Sequence, residues 1–513
     1  MTDAGTTKQP IRCHIGLLHF SREKRGILYA SSKKDYILYL ICHLCRDLSH
    51  SHFVLSFGFV LDSKKKEMVQ IGLVQLKTIP EGATVHVKDR EFADKTPVLI
   101  RNFVPGDYKI RLHLEGYKPW ERKVTVSPGQ AVTYGNILLI PENWTKREVS
   151  SQIYSQMTPI YDTHLMILAR GNKLCDYFVF DWKSDDMWPL VSCTDDTKKT
   201  EVLKLFTIRG SDVVVVQTAC EEKQNYAWIR LEKGQPEIKD ISTLFVEEPL
   251  RIVWDPEAPS QLFSWQDGYV NRLDIEQSAV YPKFASDIVG FGLYDEEVYI
   301  IDQKKALRRL DFDKKSEEIL LEDPNLRGLL FESKKDVQIF FLDEKTLIFL
   351  DSRGSLVTNR LPYHFVNQGV IGWQFNRKKQ ILLLWMKGKI GILDFSETRK
   401  EDEGLFEQGL HVTWIYGNGE DIRKCFWANN GSHVLFRDEN KVYLLERDPY
   451  GGSVLHFLIQ MDKGGQITYA DETGDIYILE KPGGKLIAIK LIPTKIAFSL
   501  IKGDETPFGN GAE

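Results

Sequence analysis

The sequence predicts an all-β chain, in which a small β-sandwich is followed by a β-propeller of about seven blades, within a range of six to eight. Three observations carry that prediction. Residues 72–139 alternate apolar and polar side chains in short runs broken by Gly and Pro, the signature of half-buried antiparallel strands. Beyond residue 146, segments of four apolar residues closed by an acid recur about every 45 residues, the spacing of propeller blades. Strands bearing Trp or Phe stand at Ile252–Trp254, Gly372–Phe375 and Cys425–Trp427, and a four-stranded blade needs such bulk to pack against its neighbour. The chain divides on this reading into a leader at 1–62, a small β module at 70–141, a propeller at 146–502 and a polar, Gly-rich tail at 503–513.

Composition bounds what such a chain does. With 513 residues, 42% hydrophobic, 11% aromatic and 27% charged, it is globular and long enough to bury a large core. Lys and Arg total 67 against 72 Asp and Glu, a net charge of −5, so the basic footprint of a nucleic-acid binder is missing and no nucleic-acid partner is expected. Seven cysteines, odd in number and widely scattered, do not make a disulfide framework.

The leader carries two apolar runs, 36–45 and 53–61, parted by Arg46, Asp47, Leu48, Ser49, His50, Ser51 and His52. Neither run reaches the roughly 20 apolar residues of a bilayer-spanning helix, and joined they carry Arg and Asp near the centre at about 2.5–3.5 kcal/mol each. Arg22, Lys24, Arg25, Lys33 and Lys34 favour a cytoplasmic amino terminus with the body outside, while Lys64, Lys65 and Lys66 oppose it. Two readings stand, a degenerate membrane anchor at 36–61 or an unstructured leader. A misassigned or frameshifted start explains both the broken helix and the local Cys/His excess. Cys42 and Cys45 have the gap of a zinc-ligand pair, but His50 and His52 lie one residue apart, which is not finger spacing, and no metal is assigned.

Six strands are predicted in the module, at 74–78, 84–88, 98–102, 109–115, 121–126 and 133–139. Their breaks are Pro80-Glu81-Gly82-Ala83, Thr96-Pro97, Pro105-Gly106-Asp107 and Ser127-Pro128-Gly129, with Pro105-Gly106 composed as a type II turn. Thr78-Ile79-Pro80-Glu81-Gly82-Ala83-Thr84-Val85, Thr96-Pro97, Val104-Pro105-Gly106-Asp107-Tyr108 and Glu115-Gly116-Tyr117-Lys118-Pro119-Trp120 follow in that order. On these four motifs residues 70–141 resemble the PEGA domain, and Phe57–Asp62 resembles the junction at which bacterial PEGA proteins leave a transmembrane helix. The resemblance implies a β-rich module of cell surfaces and envelopes, with no chemistry of its own. Tyr117 and Trp120 are expected as plugs at the edge of the core, with their polar tips in water.

In the propeller region the acid-closed segments are Val298–Asp302, Leu347–Asp351, Ile390–Asp394, Val442–Glu446 and Ile476–Glu480, whose ends lie 49, 43, 52 and 34 residues apart. Asp267–Asp274, Gln303–Asp311 and Arg353–Leu361 look like one further strand repeated. The Gly-His and Trp-Asp pair of WD repeats does not recur, Trp254-Asp255 being isolated.

Motifs of catalysis are missing: there is no phosphate loop, nucleophile elbow, HExxH or calcium loop. The acid pairs Asp185-Asp186 and Asp195-Asp196 and the run Glu401-Asp402-Glu403 read as solvated loops, and Asp302, Asp351 and Asp394 as turn caps. His364, His411 and His433 have no nucleophile in reach of sequence reasoning. No catalytic, metal or cofactor-binding residue is assigned, and no cofactor is implied. The expectation is a non-enzymatic, monomeric cell-envelope protein, anchored at its amino terminus, whose propeller is a binding platform for a protein or glycan. The alternatives are a hydrolase or lyase with its site in the central channel, and a cytosolic scaffold.

Overall fold

The computed structural model describes residues 59–62, 67–88, 90–220, 223–234, 236–304, 306–313, 317–321, 337–344, 346–359, 364–396, 412–447, 450 and 452–492. Outside them lie the first apolar run and most of the second, the Cys42, Cys45, His50 and His52 group, Glu401–Glu403, His411 and the tail. The chain forms two compact units, one of residues 1–74, 100–107 and 125–132, the other of 75–99, 108–124 and 133–513.

Phe59–Asp62 pairs antiparallel with Glu67–Gln70, so the end of the second apolar run is strand. No helix among the described residues is long and apolar enough to cross a membrane. The module contains a three-stranded sheet in the order Val98–Phe103, Gly72–Ile79, Ala131–Leu138. Its four-stranded sheet runs in the order Arg90–Lys95, Thr84–Val87, Gly106–His113, Trp120–Val126. Val74, Leu76, Val85, Ile110, Leu112, Val124 and Val126 are buried, at alternate positions along their strands, as a period of two demands. Sequence reading omits Arg90–Lys95, an almost fully exposed edge strand with no apolar alternation to announce it. Gly106 opens its strand at φ +152° instead of taking the φ of about +80° that a type II turn requires.

From Lys146 onward the strands among the described residues form eight sets of four. Sheets 1 to 7 each pair four consecutive strands and span 156–189, 201–240, 251–286, 288–321, 337–367, 372–416 and 422–460. Sheet 8 takes three strands from 466–490 and its outer strand, Lys146–Tyr154, from the start of the body, with Lys146 opposite Ile489. The ends of the repeat body, expected as ragged, interlock in sheet 8.

Packing closes the ring. Among the described residues of the body, hydrophobic clusters bridge neighbouring sheets, from sheets 1 and 2 (Val179 with Val214) through sheets 7 and 8 (Leu435 with Ile478), the last also taking in Leu138 and Ile140. A further cluster joins sheet 8 back to sheet 1, through Tyr477 and Leu486 against Phe180 and Trp182. Along Val213–Val216 the alternation is visible: Val214 and Val216 pack towards sheet 1, Val213 and Val215 towards sheet 3. A strand buried on both faces reads as a continuous apolar run.

That burial also corrects the sequence register. Val298–Asp302, Leu347–Asp351 and Ile476–Glu480 occupy second strands, whereas Ile390–Asp394 and Val442–Glu446 occupy third strands. Both positions are central in a sheet and equally apolar, so the intervals scatter from 34 to 52 residues. First strands start at 156, 201, 251, 288, 337, 372, 422 and 466, at intervals of 35 to 50 residues. Between sheets 4 and 5 the first strands even touch as a short parallel ladder, Gly290 opposite Val337. A Cβ on Gly290 would lie 2.0 Å from the Val337 carbonyl oxygen, so only glycine fits there.

Candidate functional site

The interior of the ring holds the first cluster. Tyr161 and Arg209 follow the first strands of sheets 1 and 2, while Trp373 and Lys424 lie within the first strands of sheets 6 and 7. The Arg209 guanidinium sits 4.8 Å from the Trp373 ring centre and 5.5 Å from that of Tyr161. Asp162 Oδ2 holds it from outside at 3.5 Å. Lys424 Nζ donates to the Tyr161 hydroxyl at 3.1 Å, and Phe340 meets Trp373 edge-on at 5.0 Å. The Gly210 amide donates to the Tyr161 carbonyl at 2.7 Å, tying the two loops together.

Sheets 2 and 6 are not neighbours in the order of sheets, so the Arg209–Trp373 contact joins first-strand regions that are distant in that order. Arg209, Trp373 and Tyr161 are half-buried and Lys424 is exposed, so the cluster presents two cations and two aromatic rings. Cation–aromatic pairs at partly exposed positions contribute about 0.5–1 kcal/mol each. Their groups suit recognition of anionic, hydroxylated or aromatic ligands. They include no activated nucleophile.

A second cluster is buried and polar. Glu446 ends the third strand of sheet 7, opposite His433 on the second. Trp120 Nε1 donates to its carboxylate at 2.9 and 3.2 Å, and Arg122 donates to it at 2.6 Å. His456 Nε2 stands 3.8 Å away. Trp120 and Arg122 are two apart on one strand and so share a face, which brings both to the same carboxylate. The Trp120 tip, expected in water, is paired with a buried acid. Burial pushes the Glu446 carboxyl up, but His456, Arg122 and Trp120 outweigh it and hold the group below its usual value. Burial pushes His433 down to about 4, against the pull of Glu446.

Ser432, His433 and Glu446 superficially resemble a catalytic triad. Yet the Ser432 hydroxyl donates to the Asn429 carbonyl at 2.7 Å, and the imidazole is fully enclosed. The other residues singled out in the sequence are structural. Asp302 accepts from the Ala306 amide, Asp351 from those of Arg353 and Ser355, and Asp394 from that of Ser396. Asp185 and Asp186 pair with Arg147 and Lys233 at the surface, and Asp195 and Asp196 open a single helical turn, α1 (Asp195–Lys199), capped by Thr194. His364 lies in the last strand of sheet 5. Among the described residues no group of three or more His, Cys, Asp or Glu is placed to hold a metal ion. Sequence reasoning missed Arg209, Tyr161 and Lys424 altogether, since each meets partners more than 150 residues away. Only the first-strand tryptophan at 373 left a trace.

Comparison with known proteins places the PEGA domain at residues 71–137, by a match to the family model. No curated protein sequence matches the chain. Among solved structures, the chain is similar to the computationally designed Ika8 protein at 11% identity and a TM-score of 0.40, over 66% of this chain and 97% of that one. It is similar to the β-propeller domain of Myceliophteria thermophila Cps50 (Swd1) at 12% identity and a TM-score of 0.39, over 68% of this chain and 99% of that one. A third is PorZ, described as a bacterial surface component of the type-IX secretion system of Porphyromonas gingivalis, at 9% identity and a TM-score of 0.35, over 66% of this chain and 42% of that one.

Proposed function

We propose that the chain is a non-enzymatic binding protein of the cell surface or envelope, in which the PEGA module supports the propeller as a platform for a protein or glycan partner. The observation that carries this reading is the Arg209–Trp373 contact across the ring. A ring filled by half-exposed cations and aromatic rings is suited to holding a ligand at its mouth, where a few aromatic and arginine anchors dominate affinity. The PEGA match supports a place outside the cytoplasm, where such domains are common, with residues 36–61 as the anchor.

The platform is tested by screening the full chain against glycan arrays and by photo-crosslinking from position 424 in cells. The Arg209→Ala/Lys424→Ala variant, which leaves the packed Trp373 in place, should lose the ligand found, at a nearly unchanged melting temperature. Retention of that ligand by the variant, or turnover of it by the wild type, would overturn the reading. Recovery of the full-length chain only in the soluble fraction would sink the anchor.

A further inference from the structure

We infer that Cys175 and Cys193 form a redox-active pair, which a small-molecule disulfide of the glutathione class oxidises to an intramolecular disulfide that clamps the outer hairpin of sheet 1. Cys175 sits in the 3₁₀ turn Leu174–Asp176, ahead of the third strand of that sheet, Tyr177–Asp181, and Cys193 follows the fourth, Asp186–Pro189. Both are free thiols in the structure, and they share a hydrogen bond. The pair has no residue in common with the ring-interior cluster, so its failure leaves the proposed function untouched.

Packing holds the two thiols at this meeting point. The Leu190 amide donates to the Tyr177 carbonyl at 2.8 Å, and the Leu174 amide donates to the Thr200 carbonyl at 2.9 Å. Leu174, Tyr177, Leu190 and Val191 are buried in one hydrophobic cluster. On the carboxyl side of Cys193, Thr194 caps α1 and Thr197 Oγ1 donates to the Ser192 carbonyl at 3.1 Å. Each cysteine therefore lies between anchored neighbours, and the fold itself sets the contact between them.

Exposure assigns the order of reaction. Cys193 is exposed and Cys175 half-buried, so a disulfide in solution meets Cys193 first. Its thiolate attacks one sulfur of oxidised glutathione, forming a mixed disulfide and expelling one glutathione thiolate, which takes up a proton. Cys175 then gives its proton to solvent and attacks the Cys193 sulfur, which forms the protein disulfide and expels the second glutathione. The protein loses two electrons and two protons, and the reagent is reduced to two thiols. Burial, the Cys193 thiol and the Asp176 carboxylate push the Cys175 thiol up. That makes Cys175 a poor leaving group when an outside thiol attacks the finished bond at the exposed Cys193 sulfur, so the closed pair resists reduction.

The test starts from the full chain, reduced with a phosphine, freed of reductant and incubated with millimolar oxidised glutathione. Trypsin cuts after Lys173, Lys183 and Lys198, so the two cysteines fall on the separate peptides 174–183 and 184–198. Mass spectrometry should find these two joined, at least about tenfold more often than any other pair of cysteines, because held thiols react as if at high concentration. The oxidised chain should melt about 4 °C above the reduced one, the effect of closing a loop of this length in a body of this size. Cys175→Ser should stop at the mixed disulfide on Cys193. If that variant fails to fold, early time points of the wild type serve instead, and glutathione should appear on Cys193 before the joined peptides do. Glutathione on Cys193 that never gives way to the joined peptides, glutathione on Cys175 ahead of Cys193, or an oxidised chain that melts no higher than the reduced one would each overturn the inference.

Discussion

Replacing Glu446 by alanine should destabilise the larger unit more than any surface change. The pair is buried, with 11% of the Arg122 side chain and 6% of the Glu446 side chain exposed. Removing the carboxylate takes its buried ion-pair partner from Arg122 and its acceptor from Trp120 Nε1. Breaking such a pair from one side costs about 3–5 kcal/mol. For a body of about 350 residues the unfolding entropy is about 0.7 kcal/mol per kelvin, so the melting temperature should fall by about 4–7 °C. Arg122→Met added to Glu446→Ala should recover part of the loss, roughly 2 kcal/mol, because the largely buried cation that has lost its carboxylate is then gone. Differential scanning calorimetry of wild type, both single variants and the double variant measures this. The reasoning fails if Glu446→Ala melts within about a degree of wild type, or if the double variant is no better than Glu446→Ala alone.

Three further outcomes follow from the same geometry. His433 titrates at about 4 when folded and near 6.5 when unfolded, so the unfolded chain binds the extra proton between those values. Stability should be complete above pH 6.5 and fall by about 3 kcal/mol towards pH 4. Glu446, also depressed, continues the loss below its ordinary value of 4.5. Arg122 and His456 face the same group, and urea unfolding across that pH range, repeated on His433→Asn, separates the histidine's share. Gly290→Ala should cost at least about 1–3 kcal/mol by forcing the first strands of sheets 4 and 5 apart, read as a lower urea midpoint. Burial raises the Cys425 thiol well above its usual value, whereas Cys193 is exposed. Brief alkylation of the native protein followed by peptide mapping should modify Cys193 and spare Cys425; modification of Cys425 at a comparable rate would mean that the packing of sheets 6 and 7 is looser than drawn.

How much was legible in the sequence follows from which interactions are local. Alternation within 72–139, the Pro and Gly breaks and the blade period of about 45 all arise from strand geometry over a few residues. The all-β class and the PEGA module were therefore readable from the chain. The register of the blades was not, because second and third strands are both buried on two faces and present the same apolar run. Arg90–Lys95 escaped for the opposite reason, being an exposed edge with no apolar face. Sequence by itself determined that this protein is a small β module followed by a ring of repeats, with aromatic bulk packed between sheets. Only the tertiary structure decided that Lys146–Tyr154 closes sheet 8, that Arg209 meets Trp373 and that Glu446 gathers Trp120 and Arg122. Ring closure brings together groups 160 to 340 residues apart, and no pattern local to the chain records a distance of that kind.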